Sequence, residues 1–83
     1  MKKLEYYEYD YSKLRGRIIE KFGNVLSFCK EIQISEPSIY SKLKHKTEFT
    51  QSQIVKSCIL LDIPTNEIPV YFFKYTVKKN LTK

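Results

Sequence analysis

Apolar residues recur along residues 12–73 mainly with the period of an α-helix. The pattern is clearest where four apolar side chains occupy positions i, i+3, i+4 and i+7, which share one face of a helix. Those four residues are Val25, Phe28, Cys29 and Ile32. The segment is therefore predicted to form a short helix with a narrow apolar inner face.

A second short helix is predicted directly after the first. Ile39 and Leu43 lie one helical turn apart, and a break at residues 33–35 separates them from the preceding segment. Asn24 and Ser35 precede the two segments, and their short side chains can accept hydrogen bonds from the N–H groups of a first helical turn. Two short helices joined by a tight turn are typical of the helix-turn-helix motif, whose second helix is offered to a partner.

Three further helices complete the prediction, which is a mainly all-α domain of five short helices. Residues 12–22 form the first helix, and Gly23 stands where a left-handed residue would end it. Residues 51–62 form the fourth, opened by a capping box in which Thr50 precedes Gln53. The fifth is considered with the C-terminal residues below.

Two of these helices carry expectations about packing. Gly16 weakens the first helix by about 1 kcal/mol relative to Ala, so close packing against its backbone is expected. The fourth helix is expected to bury a broad apolar face. That face comprises Ile54, Val55, Cys58, Ile59 and Leu61.

Aromatic residues concentrate near both ends of the chain. A last helix is predicted from about Asn66 to Phe73, since Pro69 is tolerated in its first turn. Residues 7–11 alternate Tyr with acidic residues and residues 71–77 have strong β propensity, which leaves open a small antiparallel ribbon joining the termini. The C-terminal apolar residues either cap the helical core or form an oligomer or partner interface. The interface candidates are Ile68, Val70, Tyr71, Phe72 and Tyr75.

The length of 83 residues predicts a single domain that buries only roughly 60% of its unfolded surface. We divide residues 1–83 into an N-terminal aromatic extension (1–11), a helical core (12–73) and a basic tail (74–83). Fifteen Lys and Arg against nine Asp and Glu give a formal charge of +6, which favours polyanionic partners such as nucleic acid or an acidic membrane surface.

The features that the sequence lacks predict its cellular compartment and the kinds of catalytic or metal site that it does not form. It has no run of 18 apolar residues and no apolar N-terminal signal region, so a cytoplasmic protein that does not span a membrane is expected. In that reducing compartment Cys29 and Cys58 are expected to be buried small hydrophobic residues. His45 is the single histidine and the chain has two glycines, so we expect no catalytic triad, no metal site, no phosphate-binding loop and no cofactor; the chain is not expected to be an enzyme.

Three segments carry a resemblance to a known family. They are YDYSKLRGRIIEKFG (residues 9–23), FCKEIQISEPSIYSKLKHKTEF (28–49) and the EI…YFF ending (67–73). The chain resembles small phage regulators with the helix-turn-helix of the lambda-repressor/Cro type, and among them short proteins of phages and prophages of Gram-positive bacteria. In this resemblance Cys29 takes the place of the small residue in the first motif helix, and Ile34 and Ile39 match buried aliphatic residues.

The resemblance implies that helix 35–44 enters the major groove of double-stranded operator DNA. It also implies a homodimer, since the final helix commonly pairs subunits in this family. The predicted DNA-binding residues are Ser35, Glu36, Pro37, Ser38, Tyr40, Ser41, Lys42, Lys44 and Lys46.

Three positions depart from the family pattern. Gln33 stands where Gly is usual in the turn, so it must accept a left-handed conformation or alter the turn. Val25 replaces the polar residue that helps to hold the phosphate backbone. Glu36 replaces an uncharged polar residue that contacts bases at the front of the recognition helix. A carboxylate there can accept a hydrogen bond from the N4 amino group of cytosine, but without that bond it is repelled by the phosphates.

Two hypotheses of different classes follow. In the first, the chain is a phage transcriptional regulator that binds operator DNA; the charge and the motif favour it. In the second, it is an antirepressor or co-repressor that binds a phage repressor protein, which Val25, Glu36 and the aromatic C-terminus favour.

Overall fold

Five helices and a two-stranded antiparallel sheet make up the computed structural model, which describes residues 6–78. In chain order the elements are β1 (Tyr6–Tyr9), α1 (Ser12–Phe22), α2 (Val25–Ile32), α3 (Glu36–Leu43), α4 (Gln51–Leu61), a 3-10 turn (Thr65–Glu67), α5 (Ile68–Phe72) and β2 (Tyr75–Lys78). The predicted fold class, mainly helical with a terminal ribbon, is confirmed. Predictions for residues 1–5 and 79–83 lie outside the described residues.

The sheet joins the two ends of the described chain. Tyr6 of β1 is opposite Lys78 of β2, and Tyr9 is opposite Tyr75. The N–H of Asp10 donates to the carbonyl oxygen of Lys74 at 2.8 Å and extends the pairing beyond the strands. This sheet is formed by part of the predicted N-terminal extension and part of the predicted basic tail. Residues with high β propensity occur at both ends of the chain, and the two segments pair as antiparallel strands.

Helix α1 begins and ends where the sequence predicts. Gly23 follows it with φ 85°, and its N–H donates to the carbonyl oxygen of Ile19 at 2.8 Å. A left-handed residue after the last turn satisfies carbonyl groups that the helix leaves without partners. The expectation of close packing at Gly16 is wrong, since a Cβ atom there would meet nothing within 4 Å.

Side-chain caps fix the starts of α2 and α3. The Oδ1 atom of Asn24 accepts from the N–H of Ser27 at 2.7 Å. The Oγ atom of Ser35 accepts from the N–H of Ser38 at 3.3 Å. Both caps are the predicted ones, and each satisfies an N–H group that has no partner within its helix.

The capping box predicted for α4 is present in both directions. The N–H of Gln53 donates to Oγ1 of Thr50 at 3.1 Å, and the N–H of Thr50 donates to Oε1 of Gln53 at 3.0 Å. The predicted buried face of this helix is wrong in part, since Val55 is 55% exposed and Ile59 is 70% exposed. These two side chains have the right period but point away from the core, where no other element of residues 6–78 covers them.

All five helices contribute buried side chains to the core, and Phe28 and Phe72 are its largest fully buried side chains. Cys29 and Cys58 are buried free thiols, as predicted, and burial raises the pKa of each. Within residues 6–78 no helix is long and apolar enough to cross a membrane.

Candidate functional site

The turn between α2 and α3 is built without glycine. Gln33 adopts a left-handed conformation with φ 64° and ψ 42°, and its N–H donates to the carbonyl oxygen of Cys29 at 2.8 Å. The N–H of Ile34 reaches the same carbonyl at 3.2 Å. Gln33 thus takes the left-handed conformation, one of the two alternatives that the family pattern allowed, and α3 follows α2 after a break of three residues.

Helix α3 turns a small and mostly uncharged surface to solvent. Ile39 and Leu43 are buried against the core, whereas Ser35, Pro37 and Ser38 are exposed. The half-buried residues at its edges are Glu36, Tyr40 and Ser41. The structure therefore brings six of the nine predicted DNA-binding residues onto or beside one exposed surface.

Lys42, predicted to contact phosphate, is instead a buried residue. It is 9% exposed, and its Nζ atom donates to the carbonyl oxygen of Glu48 at 3.1 Å. The same ammonium lies 5.8 Å from the ring centre of Phe49, at a distance typical of a cation–π contact. The chain folds back after α3, and this loop covers the Lys42 side chain. The predicted role of Lys42 in DNA binding is therefore corrected.

The two remaining predicted cations, Lys44 and Lys46, lie beyond the end of α3 and are exposed. Since Lys42 is the one basic residue within Glu36–Leu43, the exposed face of α3 itself presents no cation and one carboxylate, that of Glu36. Phosphate contacts from the body of this helix would have to come from hydroxyl or backbone groups.

Basic residues of α1 are engaged by the end of α4. The Nε atom of Arg17 donates to the carbonyl oxygen of Leu61 at 2.8 Å, and its Nη2 atom donates to that of Asp62 at 3.1 Å. The Nζ atom of Lys21 lies 2.8 Å from a carboxylate oxygen of Asp62, and this hydrogen bond lowers the pKa of the Asp62 carboxyl. Cations at a helix C-terminus stabilise its free carbonyl groups, so these contacts hold α1 against α4.

A cleft of about 350 Å³ lies beside the sheet, the start of α1 and the end of α3. The His45 ring stacks on the Tyr11 ring with 5.6 Å between their centres, and burial raises the pKa of Tyr11 to about 12. Hydrogen bonds from the hydroxyl and N–H of Ser12 lower the pKa of Asp10. Sequence reasoning missed this cleft because it placed His45 in a basic run. Within residues 6–78 no group of three His, Cys, Asp or Glu side chains is placed to hold a metal ion.

The predicted interface residues divide between core and surface. Phe72 is 2% exposed and packs edge-to-face on Phe49 with 5.4 Å between ring centres. Tyr71 is also buried, with the Lys13 ammonium 5.5 Å from its ring centre. Tyr71 and Phe72 therefore belong to the core, which corrects their assignment to an interface.

The other interface candidates remain accessible in part. Ile68 is half-buried, and Val70 and Tyr75 are exposed. Phe73 is exposed as well. The predicted C-terminal interface is thus reduced to a smaller surface.

A second exposed apolar surface was missed by the sequence reading. Val55 and Ile59 lie one turn apart on the outer side of α4. A groove of about 340 Å³ between α4 and the end of α2 borders Ile59, with Glu31 and Lys56 among its lining residues. We call Val55, Ile59 and this groove the α4 face.

The family model described as "Protein of unknown function (DUF739)" matches residues 7–75. The solution structure of the modulator of repression (MOR) of the temperate bacteriophage TP901-1 from Lactococcus lactis is similar to this chain, with 37% sequence identity and a TM-score of 0.70. The match covers 78% of this chain and 88% of that one. No curated protein matches the sequence.

Proposed function

The chain belongs to the DUF739 family, and we propose that it modulates repression in a phage or prophage by binding a repressor protein rather than operator DNA. The phage-regulator reading of the sequence and the likeness to a modulator of repression both support this proposal. The lambda-repressor/Cro type of helix-turn-helix stays a prediction.

One observation favours a protein partner over DNA. The exposed face of α3 presents no free cation, since Lys42 is 9% exposed and its ammonium donates to the Glu48 carbonyl oxygen. Neutralisation of phosphates by Lys and Arg side chains supplies a large share of the affinity of DNA-binding proteins. With Glu36 at its front, α3 is poorly equipped to enter a groove lined by phosphates.

The likeness to the phage TP901-1 protein adds support of a different kind. The two chains are 37% identical over most of their lengths, and they share a fold. That protein is named for modulating repression. We extend this role to the present chain, with a repressor as the direct partner and the cytoplasm as the place of action.

Binding changes repression only if the chain distinguishes two states of the repressor. A modulator that binds free repressor more tightly than operator-bound repressor lowers operator occupancy, and the reverse preference raises it. The ratio of the two affinities sets the size of the change. In this proposal the chain supplies binding energy alone and acts without catalysis or a cofactor.

Operator binding by the chain itself is the second candidate function. The short α2–α3 pair, the exposed Lys44 and Lys46 and the +6 charge favour it. In that case Ser38 and Ser41 would face bases and the two lysines would face phosphates. Replacing either lysine with alanine would then reduce the slope of log affinity against log salt by about 0.9.

A gel-shift experiment separates the two candidates. The probe is a duplex that carries the operator bound by the repressor of the same phage or prophage, and it is mixed with the chain, with the repressor and with both. We expect no specific shift with the chain alone and a changed repressor shift when both proteins are present. A sequence-specific shift by the chain alone, with the repressor shift unchanged, would support operator binding and reject the proposal.

A further inference from the structure

The outer side of α4 carries apolar side chains that are exposed and do not contribute to the core. At 100° per residue, Val55 and Ile59 lie roughly 120° to 160° around the helix from the buried residues Ser57 and Leu61, and the third buried residue, Cys58, lies between the two sides. Their exposed fractions are 55% and 70%, and that of Ile59 is the highest among the exposed large apolar residues within the described chain. Adjacent exposed apolar side chains of this kind mark interaction sites more often than isolated ones do.

Helix α4 is also nearly free of charge. Lys56 is the one charged residue in Gln51–Leu61, so the polar side chains that normally cover the outer face of a surface helix are few here. Burial of the α4 face should therefore release more free energy from its apolar surface than it costs in removing polar groups from water. Burial of apolar surface contributes roughly 25 cal/mol per Å² before the costs of association are counted.

The groove beside Ile59 carries two charges of opposite sign. Glu31 comes from the end of α2 and Lys56 from α4, and both are exposed. Neither side chain forms an ion pair within residues 6–78. An apolar centre with charged groups at its edge is the usual arrangement of a protein–protein interface.

From these observations we infer that the α4 face is the docking surface for the repressor. The complementary surface would insert an aliphatic or aromatic side chain beside Ile59, with a carboxylate placed against Lys56 and a cation against Glu31. This assignment rests on the proposed function. It specifies which surface of the chain binds the repressor and which chemical groups the repressor presents to that surface.

Charge favours a different protein over a second copy of the chain as the occupant. Two copies each carry a formal charge of +6 and repel one another at long range. A repressor surface that places a carboxylate near Lys56 avoids this repulsion and gains in association rate.

The test is isothermal titration of the purified repressor with the wild-type chain and two matched variants. Ile59→Gln changes the centre of the α4 face. Leu26→Gln makes the same kind of change at another exposed aliphatic residue, which lies roughly 140° around α2 from Glu31. We expect Ile59→Gln to weaken binding about 30-fold or more, as for a central interface residue, and Leu26→Gln to leave the affinity within about 3-fold.

Helical circular dichroism and the midpoint of thermal unfolding are measured for each variant. Should Ile59→Gln fail to fold, Val55→Gln serves as the second variant, with the same expected loss of binding. Lys56→Glu should in addition slow association and reduce its dependence on salt concentration.

The outcomes separate this inference from the proposed function. If wild type binds and both Gln variants of α4 bind as tightly, the α4 face is not the docking surface, whereas the proposed function stands. If wild type does not bind the repressor, the proposed function is wrong and the assignment of this face falls with it. If sedimentation shows a wild-type dimer that Ile59→Gln converts to a monomer, the occupant is a second copy and the inference is overturned.

Discussion

The Nζ atom of Lys42 donates a hydrogen bond to the carbonyl oxygen of Glu48 at 3.1 Å, which ties the last turn of α3 to the loop before α4. Phe49 follows in that loop, and its ring lies below the same ammonium group. A residue that would be a phosphate ligand in a DNA-binding helix therefore stabilises the fold in this protein. This hydrogen bond is what leaves α3 without an exposed cation.

Lys42 and Lys44 should respond differently to mutation. Lys42→Ala removes a hydrogen bond from a charged donor, so the free energy of unfolding should fall by about 1.5–3 kcal/mol. Lys44 is exposed, and Lys44→Ala should change it by less than about 0.5 kcal/mol. Urea unfolding followed by circular dichroism measures both variants. Equal and small effects would show that Lys42 does not hold the loop.

The two glycines should respond to alanine with opposite signs. Gly16→Ala should raise the free energy of unfolding by roughly 0.5–1 kcal/mol, because the new methyl group meets nothing within 4 Å and alanine favours the helix. Gly23→Ala should lower it by about 1–2 kcal/mol, because φ there is 85°. Thermal unfolding of the two variants compares them directly. A destabilised Gly16→Ala variant would restore the close packing that the sequence predicted.

Alkaline pH should destabilise the protein through Tyr11. Burial raises the pKa of this phenol from 10.0 to about 12, so above pH 10 the unfolded state loses the proton more readily than the folded state. The stabilisation that the protonated Tyr11 gives to the folded state is complete below pH 10, and it should be lost as the pH rises through 12. Unfolding measured from pH 8 to 12 should show this fall in wild type and a smaller fall in Tyr11→Phe. Identical pH profiles would contradict the burial of this hydroxyl.

Phe72 and Phe73 are neighbours in sequence and should differ in energetic role. Phe72→Ala should lower the free energy of unfolding by about 3–5 kcal/mol, because the ring is fully buried against Phe49. Phe73→Ala should cost much less, since about half of its side chain is exposed. Unfolding curves test stability, and sedimentation velocity tests association. Loss of a dimer in Phe73→Ala or Val70→Ala, with stability retained, would support the C-terminal surface as a subunit interface.

Local signals in the sequence predicted the helix boundaries well. Asn24, Ser35 and Thr50 act through hydrogen bonds to residues three positions away, so their roles follow from spacing alone. The left-handed conformation of Gln33 is one of the two alternatives that the resemblance to the helix-turn-helix family allowed. These features depend on neighbours in the chain and hardly on the rest of the fold.

The surface was harder to predict because it depends on residues distant in sequence. Periodicity placed Val55 and Ile59 with the apolar residues of α4, but only the positions of α1 and α2 decide which sides of that helix are covered. Lys42 has the helical phase of a half-exposed residue, and the loop at Glu48 encloses it. Phe72 became a core residue because the aromatic side chain of Phe49 packs against it.

The central claim is tested most directly by measuring the affinity of the fluorescently labelled chain for two ligands in one buffer at physiological salt. The first ligand is the purified repressor without DNA, and the second is the operator duplex without repressor. Our account predicts saturable binding to the repressor, and binding to the operator no tighter than to a random duplex of equal length. Specific, salt-dependent binding to the operator together with no binding to the repressor would contradict it.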